Sequence, residues 1–173
     1  GATRLFLQFL AGRARQAEAL YILGDLFETW IGDDDIDEPY HAEIVSALRA
    51  ASDAGLKISV MHGNRDFLLG SGFTAASGTL LLKDPYVLST AEWQFVLSHG
   101  DALCLDDSAY MAFRAQVRSP EWQATLLAKP LSERRAIAAH MREVSESSQR
   151  GKDNPYTDLQ AAATDDFLRE HGY

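Results

Sequence analysis

Three short apolar segments, each followed at once by a turn that carries polar side chains, constrain the fold of this chain most strongly. The segments cover residues 19–23, 58–61 and 95–98, and they run into Gly24-Asp25, Gly63-Asn64 and His99-Gly100. Short apolar runs bounded by turn residues are typical of buried strands. A helical pattern begins at Pro39 between the first two segments. Alternation of strands and helices predicts an α/β fold with a largely parallel or mixed sheet.

The rest of the chain fits the same class. Helical spacing of apolar residues predicts a helix over 3–18, and two further short strands are expected over 79–82 and 86–89. From about 106 to 150 the pattern is helical, with interruptions at Pro120 and Pro130. A last helix is expected to begin at Asn154-Pro155 and to end near Gly172.

The polar residues at the three strand ends are candidates for a metal site. Parallel strands bring their carboxyl ends to one edge of a sheet, so Asp25, Asn64 and His99 are expected to lie together. Oxygen and imidazole ligands without thiolate suit Mn²⁺, Mg²⁺, iron or Zn²⁺. Taken singly, each residue has a simpler interpretation, because Asp and Asn stabilise turns and a lone His is commonly a packed, hydrogen-bonded residue.

Composition excludes several other classes of protein. The net charge of −9 argues against a nucleic-acid binder that works through a general basic surface. The single cysteine, Cys104, rules out an internal disulfide framework, and it is expected to be a buried small side chain. No apolar run reaches the roughly 18–20 residues that a membrane-spanning helix requires.

Charge is unevenly distributed along the chain. Residues 113–152 hold eight Lys and Arg against four Glu, a local net charge of +4 within an acidic protein. One interpretation is a solvated helical face, and the other is a basic insertion that faces an anionic ligand or membrane surface. The acidic run at 33–35 lacks the spacing of a calcium-binding EF-hand, and it predicts a solvated loop near the site.

The motifs at the three strand ends resemble those of the calcineurin-like metallophosphoesterases. Within that superfamily, the segments 21–35, 62–70 and 99–110 resemble the diphosphatases of bacterial lipid A synthesis almost residue for residue. The resemblance implies a four-layer α/β/β/α sandwich with a helical cap insertion. It implies a core over 1–105, a cap over 106–152, and a return helix of the core over 153–173.

The resemblance also implies two divalent metal ions, most simply Mn²⁺. Asp25 is expected to bridge them, while Asn64 and His99 each bind one. The family has two further metal motifs, Asp-x-His and Gly-His-x-His, and neither occurs in these 173 residues. We therefore expect this chain to be an internal piece of a longer protein.

Arg65 stands where most metallophosphoesterases have a histidine that assists the leaving group. Arginine stays protonated at physiological pH, so it is a poor general acid, but it can clamp a phosphate and neutralise charge in the transition state. This chemistry favours a diphosphate substrate over a phosphoprotein. The alternative is that Arg65 only forms a surface ion pair with its neighbour Asp66.

By resemblance, the expected substrate is UDP-2,3-diacylglucosamine, cleaved to UMP and an acylated sugar 1-phosphate. Its binding is expected to involve residues of the core and of the cap: Asn64, Arg65, Asp107, Ser145, Gln149 and Lys152. Apolar cap residues would receive the acyl chains, and the basic residues would face anionic lipid at the cytoplasmic side of the bacterial inner membrane. Two alternatives stay open, another phosphoesterase of this fold and a metal-free scaffold that binds a protein partner.

Overall fold

The computed structural model describes residues 1–150 and 161–171, without the side chains of 145, 146 and 148–150. The chain divides into two compact units, Gly1–Asp84 and Pro85–Tyr173, each of which is described by itself. The α/β class expected from the sequence is confirmed, because the first unit contains a parallel sheet with helices between its strands.

The first unit is built on a three-stranded parallel sheet in the order β1-β2-β3. The strands are β1 (Ala19–Ile22), β2 (Lys57–Met61) and β3 (Leu80–Leu82). The helices are α1 (Ala2–Ala11), α2 (Pro39–Asp53) and α3 (Ser71–Ser77). Helices α2 and α3 supply the crossovers that parallel pairing requires. The sequence analysis did not predict α3, a seven-residue helix that carries a glycine in its first turn.

Local sequence explains where α2 begins. Pro39 occupies the first turn, where its missing N–H costs no hydrogen bond. The Glu38 side chain precedes it and accepts hydrogen bonds from the backbone N–H groups of Tyr40 and His41. These two contacts satisfy donors that a helix start otherwise leaves unpaired.

Aromatic rings form the core of this unit beside the sheet. Phe27, Trp30 and Phe73 are almost completely buried, and the Phe27 and Trp30 ring centroids are 4.7 Å apart. His41 joins them, with its ring centroid 4.8 Å from that of Trp30. Both ring nitrogens of His41 lie 3.1 Å from backbone carbonyl oxygens, those of Asp35 and Thr29. His41 is therefore a packed, hydrogen-bonded residue of the core.

The acidic segment 33–35 differs from the solvated loop that the sequence predicted. Asp34 is exposed, but Asp35 is buried and Asp33 is half-buried. The Asp33 carboxylate accepts hydrogen bonds from Trp30 Nε1 (3.1 Å), Gly70 N (3.0 Å) and Gly72 N (2.7 Å). It thus joins the loop after β1 to the start of α3. The prediction was wrong because the partners lie 37 and 39 residues away in sequence, where no local pattern can show them.

Within its described residues, the second unit contains an antiparallel hairpin and four α-helices. Strands β4 (Tyr86–Ser89) and β5 (Gln94–Leu97) pair directly, and α4 (Ser108–Val117), α5 (Pro120–Leu127), α6 (Leu131–Arg150) and α7 (Ala161–Glu170) follow. The expected helix breaks at Pro120 and Pro130 are confirmed. The expected start of the last helix at Asn154 lies outside the described residues. None of the described helices combines the length and the apolarity that crossing a bilayer requires.

The three hydrogen bonds of Asp33 make a prediction about stability. Replacing it by alanine leaves the Gly70 and Gly72 N–H groups without their acceptor, so Asp33→Ala should lower the free energy of unfolding by about 1–2 kcal/mol. Asp34→Ala is the matched control, because this neighbouring carboxylate is exposed, and its effect should stay within about 0.5 kcal/mol. Urea unfolding monitored by tryptophan fluorescence measures both variants, and equal effects would contradict the role given to Asp33.

Candidate metal and phosphate site

The loop after β1 presents Asp25 in a conformation that side chains rarely adopt. Gly24 has φ +95° and Asp25 has φ +52°, so two successive residues lie in the left-handed region. Asp25 is the only residue other than glycine with positive φ among the residues that the structure describes. Such strain persists where surrounding contacts enforce it, and it is typical of functional loops. The sharp turn places the Asp25 carboxylate at the carboxyl end of the sheet.

The loop after β2 meets Asp25 directly. Strands β1 and β2 are parallel neighbours, with Ile22 paired to Val60, so their carboxyl ends are adjacent. At Gly63 the backbones approach so closely that a Cβ atom would overlap the backbone nitrogen and Oδ1 of Asp25. The Arg65 N–H donates to Asp25 Oδ1 at 3.0 Å. Glycine is therefore required at position 63 for the two loops to touch.

Asn64 faces the Asp25 carboxylate with its side-chain amide. One terminal amide atom lies 3.0 Å from Asp25 Oδ1 and 2.8 Å from Oδ2. That atom is the amide nitrogen, because only this orientation gives both amide atoms a suitable partner, so Asn64 donates to both carboxylate oxygens. Carboxylate and amide oxygens are ligand types that hard divalent ions take, so these two residue types would suit such an ion here.

A buried carboxylate, Asp66, joins these two loops from behind. It is completely buried, and it accepts hydrogen bonds from the N–H groups of Gly63 (2.7 Å), Leu26 (2.7 Å), Phe27 (3.3 Å) and Asp25 (3.3 Å). Burial raises the pKa of Asp66, and the nearby charge of Asp25 adds to this, whereas the backbone N–H groups oppose it. One side chain thereby holds both strand-end loops in place.

Arg65 lies at the surface of this site. Its Nη1 donates to Glu28 Oε2 at 2.6 Å, and its Nε lies 3.7 Å from Asp25 Oδ2. The alternative interpretation, in which Arg65 only forms an ion pair with Asp66, is excluded, because Asp66 is completely buried while Arg65 is about half exposed. Arg65 therefore stands beside the predicted metal ligand, where an anionic ligand could reach it.

The second unit holds the remaining described site residues. His99 follows β5, which pairs antiparallel with β4 in a separate two-stranded sheet. The expectation that this strand joins β1 and β2 in one parallel sheet is wrong, and the role of His99 as a metal ligand stays a prediction. Within residues 1–150 and 161–171, no three His, Cys, Asp or Glu side chains lie close enough together to hold a metal ion. Asp107 precedes α4 and accepts a hydrogen bond from Tyr110 N at 3.0 Å. Ser145 and Gln149 lie in α6 with side chains outside the description, and Lys152 lies outside the described residues.

Asp101 is a buried acid of the second unit with several polar partners. Its Oδ2 accepts hydrogen bonds from the Tyr110 hydroxyl (2.8 Å) and Arg114 Nε (2.9 Å), and Arg118 Nη2 is 3.6 Å away. Burial raises its pKa, but the Arg114 and Tyr110 hydrogen bonds and the two arginine charges outweigh burial and hold the pKa below the ordinary range. Burial, with the charges of Asp101 and Asp107, raises the pKa of the half-buried Cys104 thiol.

Sequence reasoning missed the roles of Asp66 and Glu28 in the first unit and of Asp101 in the second. Each lies within or beside a quoted motif, so the only available signal was an acid close to a predicted ligand. The partners of Asp66 and Glu28 became visible only once β1 and β2 were paired, and those of Asp101 only once α4 was placed against it.

The contacts of Asp66 predict a large effect on folding. Asp66→Ala leaves buried N–H groups on both loops without an acceptor, so the free energy of unfolding should fall by about 3–5 kcal/mol. Asp53→Ala is the control, since Asp53 forms an exposed ion pair with Arg49, and exposed pairs contribute at most about 1 kcal/mol. Denaturant unfolding of both variants tests this, and a loss below 1 kcal/mol for Asp66→Ala would contradict the bridging role.

Known proteins similar to this chain carry a consistent name. No protein-family model matches the chain. The UDP-2,3-diacylglucosamine hydrolase of Chromobacterium violaceum is 50% identical over 171 residues, which cover 98% of this chain and 71% of that protein. The hydrolase of the same name from Klebsiella pneumoniae is 48% identical over 96% of this chain and 69% of its own length. That from Chromohalobacter salexigens is 45% identical over 98% of this chain and 69% of its own length. The resemblance found in the motifs is thereby confirmed, and the chain belongs to the UDP-2,3-diacylglucosamine hydrolase family.

Proposed function

We propose that this chain forms the catalytic part of an enzyme of lipid A synthesis that hydrolyses UDP-2,3-diacylglucosamine to UMP and 2,3-diacylglucosamine 1-phosphate. The observation that carries the proposal is the similarity to hydrolases of that name over nearly the whole chain. The juxtaposition of Asp25, Asn64 and Arg65 at one sheet edge supports it, because this set combines hard metal ligands with a phosphate-binding cation.

The enzyme is proposed to use two divalent metal ions, most simply Mn²⁺. Asp25 would bridge them and Asn64 would bind one through its amide oxygen, and the two side chains already lie within hydrogen-bond distance of each other. His99 is included on the family resemblance alone, as are the Asp-x-His and Gly-His-x-His motifs of the complete enzyme. When bound, a metal pair activates water and neutralises charge during attack at phosphorus.

The residues of the chain would then orient the substrate. Arg65 would clamp the diphosphate, exchanging its contact with Glu28 for phosphate oxygens that accept two parallel N–H bonds. The left-handed turn at Asp25 and the buried Asp66 would keep the ligand side chains in place during this exchange. Preorganised groups of this kind stabilise developing charge without further reorganisation.

The segment 106–152 is proposed to be a cap on a four-layer α/β/β/α core formed by 1–105 and 153–173. Asp107, Ser145, Gln149 and Lys152 would bind the sugar, phosphate and nucleotide parts of the substrate. Acyl chains would contact apolar residues of α5 and α6. Among these, Leu127 is 42% exposed, while Trp122, Ile137 and Met141 are half-buried. Arg114 and Arg118 contact Asp101 and Arg134 is buried, so the exposed Arg135 and Arg142 would face anionic lipid. The protein would then lie peripherally at the inner membrane.

Asp25 provides the first test of the metal proposal. Asp25→Ala removes the bridging carboxylate, so hydrolysis should fall about 10³-fold or more. Bound Mn²⁺ should also fall from about two ions per chain in the complete enzyme. Asp34→Ala is the control, since this exposed loop acid should leave metal content and most activity intact. Elemental analysis after chelation and reloading measures the metal, and equal values for the two variants would contradict the assignment.

Arg65 provides the second test, and it distinguishes a diphosphatase from a generic phosphoesterase. Arg65→Ala should lower kcat on UDP-2,3-diacylglucosamine by about 10²–10³. Arg65→Lys should restore only part of this loss, because an ammonium lacks the two-pronged guanidinium contact.

Arg65→His should gain relative activity on an aryl phosphodiester, whose leaving group benefits from a proton. The measurement is kcat/KM for wild type and all three variants on both substrates, with metal content checked. If Arg65→Ala cleaved the diphosphate as fast as the wild type, Arg65 would have no part in binding or cleaving the substrate.

A further inference from the structure

Asp101 is a buried acid with a one-sided set of partners. The residue is 8% exposed, and its contacts with Tyr110 Oη, Arg114 Nε and Arg118 Nη2 all go to Oδ2. These three partners lie on α4 or immediately after it. Oδ1 is also buried, and it has no hydrogen-bond partner among the residues that the structure describes. The polar contacts of the Asp101 carboxylate are therefore made with α4 and the residue that follows it.

Such a cluster is poorly suited to adding stability. Transferring a carboxylate and two guanidinium groups out of water costs free energy that their attraction only partly offsets, and an unpaired buried oxygen adds to the cost. A well-packed apolar side chain at the same position would contribute at least as much to the free energy of unfolding. The cluster does, however, fix the helix relative to the Asp101 backbone, since its bonds have defined directions and lengths.

Tyr110 links Asp101 to a second carboxylate. The Tyr110 hydroxyl donates to Asp101 Oδ2 at 2.8 Å, while the backbone N–H of the same residue donates to Asp107 Oδ1 at 3.0 Å. Asp107 caps α4, and its own N–H donates to Cys104 O at 3.2 Å. Asp101 therefore determines where the first turn of α4 lies, and that turn determines where the Asp107 carboxylate lies.

We propose that Asp101 is a positioning residue that acts through Tyr110 to hold Asp107 in the orientation that binds substrate. This inference rests on the proposed function, in which Asp107 contacts the polar part of UDP-2,3-diacylglucosamine. Asp101 itself touches no substrate. Loss of its bond to Tyr110 frees the first turn of α4, so Asp107 binds less well while the reacting groups are unchanged.

The mildest variant is Tyr110→Phe, which removes one hydroxyl and keeps the ring. In the complete enzyme it should raise KM for UDP-2,3-diacylglucosamine about fivefold to tenfold, the loss expected for one ordinary hydrogen bond, with kcat within a factor of two. In an Asp107→Ala background, Tyr110→Phe should leave KM unchanged, because the contact it positions is already absent. Tyr86→Phe is the control, since it removes a hydroxyl from β4 of the same unit.

A second readout does not depend on activity. Hydrogen exchange of the amides of 108–112 should be about tenfold faster in Asp101→Asn than in wild type. Amides in α5 should exchange at the wild-type rate. A purely stabilising role would instead speed exchange throughout the unit and lower the melting temperature without changing KM.

The outcomes separate the two proposals. Equal increases in KM in the wild-type and Asp107→Ala backgrounds, or unchanged exchange at 108–112, would overturn the positioning role and leave the hydrolase function intact. A normal KM for Asp107→Ala would overturn both the positioning role and the substrate role of Asp107. Failure of the wild-type enzyme to cleave UDP-2,3-diacylglucosamine would overturn the proposed function, while the exchange measurement still decides whether Asp101 orders α4.

Discussion

The hydrogen bonds that Asp66 accepts from two separate loops are the interaction on which the candidate site depends. Parallel pairing of β1 and β2 brings the two loops near each other, but it does not determine how they turn. Asp66 accepts hydrogen bonds from the backbone N–H groups of residues 25–27 in one loop and of Gly63 in the other. These bonds fix the conformations of both loops. Asp25 can hold a left-handed conformation because its neighbours are fixed in this way.

Each unit contains a buried carboxylate whose hydrogen bonds hold a more accessible carboxylate in place. In the first unit, Asp66 is held by uncharged N–H groups, and burial raises its pKa. In the second, Asp101 faces two arginines and a hydroxyl, which together hold its pKa low. The first acid arranges backbone around Asp25, and the second arranges a helix that begins beside Asp107. Neither acid is itself placed to contact a ligand.

Much of the fold could be predicted from the sequence because its determinants are local. Apolar runs ending in turn residues revealed β1, β2 and β5, and Pro39, Pro120 and Pro130 marked helix boundaries. The motifs also identified Asp25 and Asn64, which the structure brings together. Contacts between distant residues could not be found in this way. Asp33 was expected in solvent, and the contact of Arg65 with Glu28 was not foreseen, because Gly70, Gly72 and Glu28 reach these residues only after the strands have paired.

The left-handed turn at Asp25 has a consequence for how this sequence is constrained. At φ +52° a glycine would be free of the strain that a Cβ atom introduces, so the backbone alone favours a residue without a carboxylate. At position 25 the proposed metal binding requires a carboxylate, whereas the backbone conformation favours glycine. An optimisation of this chain for thermal stability alone would tend to discard the residue that the proposed reaction needs most, as happens when stability and activity are traded against each other.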